Sequence, residues 1–454
     1  MNYVFSTARL FIKRNLFSSP GRIIISALLG LIFLGAFLLW LPYSHTGQLS
    51  FTNALFMSTS ATCVTGFMVV PLNSFTFFGQ CVLLMLMQVG ALGLVTLTIS
   101  VMALFFDLRL TTRHLTEEIF EIDSWNVSHQ LLIFIILMTT VVEAIGALNI
   151  FLIIRHEYTL PRAVFNAIFH SISSFTSTGI ICLDMPGKVF PHNPPLMLIT
   201  AVLALMGGLG FFVWQEIFLY FKALRNKKRF CWSLHSKVVV STSAIIIAFA
   251  AVMFFYLEYV LHNNEHDSLI FALGNALFNA ITCRSAGITT FQISFIHFAT
   301  LFLIMIISFI GSSPGSTGSG IKTTTFALFL ASVRATISRR SEVELKGRTI
   351  SHEQIFKAMA ILSVSVCWIA VTIFCLLITE QGWRFIDISF EAFAAFANLG
   401  LSTGITPYLS TAGRYIVMIS MFIGRVGSLT LLLAFKKQKE KNEFHYPEER
   451  VILG

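Results

Sequence analysis

Charge is what this sequence has least of. Only 12% of its 454 residues are Asp, Glu, Lys or Arg, 56% are hydrophobic, and the mean hydropathy is +0.79. A soluble domain carries about 25% charged residues. So little polar material cannot cover the apolar surface, which excludes a freely soluble globule and makes bilayer lipid the solvent. Cysteine is also scarce. Cys63, Cys81, Cys182, Cys231, Cys283, Cys367 and Cys375 are odd in number, lie mostly in apolar segments and include no CxxC pair. That pattern suggests neither a disulfide framework nor a zinc site. No Gly-x-Gly-x-x-Gly opens a helix after a strand, and no polar segment exceeds about 25 residues, so the chain encodes no nucleotide-binding domain. Residues 1–20 lack a cleavage site after a short apolar core, so the first apolar run is expected to remain as a helix. Clustered His, Asp or Glu at a membrane face would suggest an enzyme. Here His170 stands alone, as a packing residue, and Glu117, Glu118, Glu121 and Asp123 form a solvated face.

What is present is eight long apolar stretches, approximately 23–42, 76–106, 130–154, 196–221, 238–261, 298–333, 355–378 and 413–435. Crossing about 30 Å of hydrocarbon takes ~20 helical residues, so each is long enough to span. Shorter semi-apolar pieces at 51–61, 164–174, 270–281 and 388–399 follow the odd-numbered spans and are too short to cross. Of 31 Lys and Arg, 23 fall in 1–22, 107–129, 222–237, 334–357 and 435–454. Five (Arg155, Arg162, Lys188, Arg384, Arg414) fall in the alternate connections. By the positive-inside rule both termini are cytoplasmic. The net charge of +9 is thus used for orientation and for lipid or partner contact at the inner face, not for nucleic acid.

Four strings repeat along the chain. They are Asn53-Ala-Leu-Phe-Met-Ser-Thr-Ser-Ala-Thr-Cys63-Val64-Thr65-Gly66, Asn166-Ala-Ile-Phe-His-Ser-Ile-Ser-Ser-Phe-Thr176-Ser177-Thr178-Gly179, Asn275-Ala-Leu-Phe-Asn-Ala-Ile-Thr-Cys-Arg284-Ser285-Ala286-Gly287, and Glu391-Ala-Phe-Ala-Ala-Phe-Ala-Asn-Leu-Gly-Leu401-Ser402-Thr403-Gly404. Their final glycines are 113, 108 and 117 residues apart. The unit is span, short half-helix, small polar loop, span. Four such units give an all-α membrane protein with the divisions 1–106, 107–222, 223–334 and 335–454. A single loop of this kind would pass for ordinary small-residue helix packing; four at one period describe a selectivity filter. Backbone carbonyls can replace the hydration shell of potassium, and glycine permits the required backbone without a Cβ clash. The half-helices aim their negative C-terminal ends at the cation. None of the four filter loops contains Asp or Glu.

These strings, their period and the segment Gly311-Ser-Ser-Pro314-Gly315-Ser-Thr-Gly318-Ser-Gly320-Ile-Lys322-Thr-Thr-Thr325 resemble the Trk/Ktr/HKT superfamily of cation transporters. Eight spans without an extra N-terminal pair are most similar to the bacterial Ktr membrane subunits, and the resemblance covers nearly the whole chain. It implies four membrane-pore-membrane units around one pseudo-fourfold pore, and a homodimer in the bacterial cell (inner) membrane. It also implies a cytoplasmic KtrA-like regulatory ring that binds the nucleotide this chain does not. Potassium is the implied substrate, with sodium as an optional activator. In plant members a serine at the first filter glycine accompanies sodium preference. Gly66, Gly179, Gly287 and Gly404 favour potassium over the alternative, a sodium-selective carrier of the same fold. Arg284 is expected to brace the third filter from behind.

Residues 298–333 would run about 54 Å as one helix, too long for the bilayer. Glycines, proline and hydroxyls at 311–325 require two helices joined by a loop inside the membrane, facing a cavity. The segment is no Walker loop: its lysine is displaced by one residue and no strand precedes it. The resemblance implies a gate, made of Gly311, Pro314, Gly315, Gly318, Gly320 and Lys322. Gly90-Ala-Leu-Gly93, Gly207-Gly-Leu-Gly210 and Gly424-Arg-Val-Gly427 lie level with Gly311 and indicate close helix packing. Arg425 is expected beside the gate loop, bonding its carbonyls, with an ion pair to Glu143 as the alternative. The apolar tip 451–453 after a charged tail is expected to dock on the neighbouring protomer.

Overall fold

The computed structural model describes residues 20–105, 124–183, 193–261 and 268–427. The C-terminal tip, Lys188 and the acidic group at 117–123 lie outside them. Within the described residues the chain is helical apart from loops and one two-stranded hairpin. A first group holds α1 (Pro20–Trp40), the short α2 (Phe51–Thr62) and α3 (Phe77–Phe105). A second holds α4 (Ser124–Ile154), α5 (Leu160–Thr176) and α6 (Pro194–Leu209), followed by α7 (Phe211–Arg225). Next come α8 (Leu234–Phe254), prolonged by a π-helical turn (Phe255–Val260), α9 (Leu269–Thr282), α10 (Phe298–Phe309) and α11 (Thr323–Ile337). Strands β1 (Glu344–Leu345) and β2 (Arg348–Thr349) precede α12 (His352–Thr379), α13 (Phe385–Ala397) and α14 (Thr411–Val426).

Local sequence sets the helix starts. Ser50, Ser233, Ser268 and Ser410 each accept a hydrogen bond from the backbone N–H three residues on, capping α2, α8, α9 and α14. Pro161 and Pro194 stand in the first turns of α5 and α6, where no amide partner is lost. Among the described residues four helical stretches are long and apolar enough to cross a membrane: Gly21–Trp40, Gln130–Ile154, Leu234–Val260 and His352–Thr379. The bent pair α6–α7 would make a fifth. This corrects one expectation, since residues 196–221 are not one straight span. The chain turns by 98° between α6 and α7, at Gly210, whose φ of +92° lies in the region that glycine favours. The stretch 298–333 is broken between α10 and α11, with non-helical backbone from Ile310 to Lys322.

Packing links the groups in sequence. α3 lies on α5, α6 on α9, α10 on α13, and α14 returns to α2. Each short helix therefore touches the preceding group as well as its own. Three glycines permit close approaches between helices within a group. A Cβ on Gly90 would collide with the carbonyl of Thr62, one on Gly207 with that of Phe175, and one on Gly424 with that of Phe396. Each of these glycines brings the next helix of the chain onto the C-terminal end of its group's short helix. Overpacking of this kind costs about 1–3 kcal/mol. Gly424→Ala is therefore expected to lower the thermal midpoint in detergent. Gly30→Ala, on α1 with nothing within 4 Å of the new methyl, is expected to leave it unchanged within about 0.5 kcal/mol.

Candidate functional site

The four short helices end at Thr62, Thr176, Thr282 and Ala397, and three to five residues later each chain reaches a glycine. Gly66, Gly179, Gly287 and Gly400 have φ of +89°, +72°, +63° and +72°. Their mutual contacts close a cycle. A Cβ on Gly66 would strike the carbonyl of Thr178; one on Gly179, that of Ala286; one on Gly287, that of Leu399; and one on Gly400, that of Thr65. Absence of a side chain at all four positions lets each loop abut the next. Side chains tie the loops too. Thr65 Oγ1 donates to Asn398 Oδ1 at 2.7 Å, and Ser285 Oγ donates to Ser177 Oγ at 3.5 Å. Val64, Ser177 and Asn398 are left-handed, with φ of +60°, +64° and +53°. For a β-branched residue such as Val64 that conformation is strained and persists only where its surroundings enforce it. Cys63 and Thr176 are buried at the ends of their helices, and Thr176 Oγ1 lies 2.9 Å from Thr178 Oγ1.

This geometry corrects the fourth string. Gly404 is exposed, and its nearest neighbour is the Ser294 hydroxyl, not another loop's backbone. Leu401, Ser402 and Gly404 line a cavity of about 340 Å³ with Phe67, Thr289 and Thr406, and Thr403 accepts from Ser294 Oγ at 2.8 Å. The ring position belongs to Ala397-Asn398-Leu399-Gly400. A signal was available, because Gly400 follows Gly287 by 113 residues, the same interval as that between the first two glycines. Also missed was Glu391, the first residue of the fourth string as aligned by sequence. It is fully buried on α13, and its carboxylate accepts from Ser402 Oγ and from Thr406 Oγ1 at 3.0 and 3.1 Å.

The intramembrane loop between α10 and α11 is bonded to α5, α6, α7, the segment after α9 and α14, and Arg425 of α14 ties it in turn to α3. It doubles back on itself, with Ser312 N–H donating to Ser319 O and Ile321 N–H to Phe309 O. Gly311 has room only for hydrogen against Ser319 O. Ser313 N–H and Thr317 N–H donate to Gly208 O and Gly207 O at 3.1 and 3.2 Å, and Phe211 N–H donates to Gly315 O at 2.8 Å. The break at Gly210 and the break at 310–322 thus satisfy each other's backbone. Pro314 O stands beside Gly210, and Gly315 is left-handed at +67°. Arg284 Nε donates to Gly311 O at 3.1 Å, so this side chain joins the third ring loop to the intramembrane loop. Lys322 Nζ donates to Gly318 O at 2.8 Å, closing a turn around Gly320, whose φ is +77°. Arg425 is buried and places one nitrogen on Thr317 O and Ser319 Oγ, the other on Gly90 O and Ala91 O of α3 at 3.0 and 3.3 Å. Glu143, the alternative partner, instead accepts from Gln88 Nε2 at 2.8 Å. His170 shares a hydrogen bond with Thr200 Oγ1 at 2.9 Å.

Apolar helices of spanning length, with polar backbone loops enclosed among them, define a multi-pass helical membrane protein. The chain belongs to the TrkH family of cation transport proteins, whose profile matches residues 12–446. It is 34% identical over 426 residues to the Ktr system potassium uptake protein B of Bacillus subtilis, covering 93% of this chain and 94% of that protein. It is 30% identical over 449 residues to the potassium/sodium uptake protein NtpJ of Enterococcus hirae, covering 96% and 97%. Its fold matches the crystal structure of the potassium transporter TrkH from Vibrio parahaemolyticus with a TM-score of 0.71 at 20% identity, over 92% of this chain and 85% of that one. The family is one of transport proteins, not enzymes.

Glu391 gives the site a stability test. Glu391→Leu removes the carboxylate acceptor of both hydroxyls and leaves them their mutual bond at 2.8 Å, a loss of about 1–3 kcal/mol, and is expected to lower the thermal midpoint in detergent by several degrees. Glu391→Gln keeps one acceptor oxygen and is expected to lose clearly less.

Proposed function

We propose that this protein carries potassium into a bacterial cell through the ring of glycine loops, with the 310–322 loop as an intramembrane gate. The observation that carries the reading is the closed cycle of glycine-to-carbonyl contacts. Four loops that abut with no side chain between them bring backbone carbonyls from four parts of the chain around one point. Carbonyls so gathered can replace the water of a dehydrated cation. The filter segments are then residues 64–66, 177–179, 285–287 and 398–400, each led in by a short helix with its negative end toward the ion. The name of the Bacillus relative supports potassium, and that of the Enterococcus relative keeps sodium in view.

On this reading the chain consists of four membrane-pore-membrane units, 1–106, 107–222, 223–334 and 335–454, around a pseudo-fourfold pore. The basic connections and both termini face the cytoplasm. A second copy and a nucleotide-binding regulatory ring complete the assembly, a proposal supported by the Ktr system named in its relatives. Sodium acts as an activator rather than as the main cargo. The gate opens when movement of α10 or α11 draws the loop away from its anchors at Gly207, Gly208, Arg284 and Arg425.

Two experiments test the proposal in potassium-deficient cells. Gly66→Ser and Gly400→Ser each force a side chain into a left-handed position against a carbonyl. Both are expected to raise the half-saturating potassium concentration about tenfold or more and to admit sodium as a competitor. Gly404→Ser is expected to leave selectivity unchanged. Rubidium uptake against sodium competition reads all three, and equal selectivity in all three variants would remove the ring from the ion path. Shortening the loop by residues 313–317, with α10 and α11 intact, is expected to raise maximal flux several-fold at nearly constant half-saturation. Loss of transport in a correctly inserted deletion protein would make the loop required structure instead of a gate.

A further inference from the structure

A second cavity, of about 610 Å³, lies apart from the ring, between α8, α11 and the β1–β2 hairpin. One face of α11 forms its floor. Ala327, Leu330, Ala331 and Arg334 line it at positions i, i+3, i+4 and i+7, the repeat of a single helical face. That face changes from apolar to cationic within two turns. Opposite stands Ile245 of α8, with Phe326 beside it. Ile245 is 68% exposed and Leu330 49% exposed, and Ile245 belongs to the spanning stretch Leu234–Val260. The apolar wall is therefore continuous with surface that faces acyl chains.

The hairpin closes the polar end. Lys346 and Gly347, with φ of +49° and +77°, make the two-residue left-handed turn that suits a tight hairpin. β1 and β2 pair as Glu344 with Thr349 and Leu345 with Arg348. The fold-back puts Lys346 at the lip of the cavity that Arg334 also reaches. Two acids line the same lip, but each is engaged. Glu344 pairs with Arg340 at 3.1 Å, and Glu342 accepts from Thr349 Oγ1 at 3.2 Å. Arg334 and Lys346 have no acidic partner among the described residues. The cavity thus joins a lipid-facing apolar wall to two uncommitted cations at one end.

We propose that this cavity is a binding site for an anionic phospholipid. The phosphate lies between Arg334 and Lys346, and an acyl chain lies along Ile245, Phe326 and Leu330. The site matches the two-part chemistry of such a lipid, whereas a free phosphate or nucleotide would leave the apolar wall uncovered. Its position gives it a consequence. α11 begins where the intramembrane loop ends, at Lys322, so a lipid bridging α11 to α8 holds the helix that carries that loop.

Delipidated full-length protein, titrated with phosphatidylglycerol or phosphatidylcholine and read by native mass spectrometry, tests the site. The tightest phosphatidylglycerol is expected to bind at least tenfold more strongly than phosphatidylcholine. Each surface charge contributes about fivefold in affinity for an anionic lipid, so Arg334→Gln with Lys346→Gln is expected to weaken that lipid about 30-fold. Phosphatidylcholine binding is expected to stay the same. Arg334→Lys with Lys346→Arg keeps both charges and is expected to retain the preference. Leu330→Trp fills the apolar wall and is expected to displace the lipid. Equal affinity for the two lipids overturns the proposal, as does unchanged phosphatidylglycerol binding in the folded double Gln variant. A change of oligomeric state in Leu330→Trp with lipid retention unaltered also overturns it, and assigns the cavity to a second copy.

Discussion

Backbone that leaves the helical conformation inside a bilayer has no water to bond, and this protein is organised around meeting that demand. Three places break the rule of continuous helix: the ring loops, the bend at Gly210 and the loop from 310 to 322. The structure solves the last two together. Amides of Ser313, Thr317 and Phe211 pair across the two breaks with the carbonyls of Gly208, Gly207 and Gly315. The ring loops are satisfied in part by their own helix ends, with Thr65 N–H donating to Ser60 O and Thr178 N–H to Ser173 O.

The same demand explains how two buried arginines and the half-buried Lys322 are accommodated. Arg284, Lys322 and Arg425 have no acidic partner among the described residues, and each instead donates to a backbone carbonyl of the loop between α10 and α11. A guanidinium with several fixed donors suits this task, because it can hold two segments at once. Arg425 holds α3 and the intramembrane loop, and Arg284 holds that loop and the third ring segment.

Close packing makes the arrangement possible. Gly90, Gly207 and Gly424 bring α3, α6 and α14 within contact of carbonyls of α2, α5 and α13, and Gly311 does the same for Ser319 inside the loop. A methyl group at any of them would push apart segments whose bonds depend on contact. Stability and function are therefore not separable at these glycines, in contrast to Gly30, which touches nothing.

The sequence by itself determined the solvent, the helical class, the four short helices and the break in the sixth apolar stretch. These follow from short-range properties: apolar run length, the position of glycine and proline, and the distribution of Lys and Arg. It also placed three of the four ring glycines, Gly66, Gly179 and Gly287, because their strings end alike. Tertiary structure decided the fourth. Two glycines four residues apart, Gly400 and Gly404, both end a small-residue stretch, and only the contact with Thr65 O distinguishes them. It likewise decided that Arg425 bonds the intramembrane loop while Glu143 bonds Gln88. A side chain's partner across a helix bundle depends on the rotation and depth of both helices, and those are set by packing among all the groups. No local pattern encodes them.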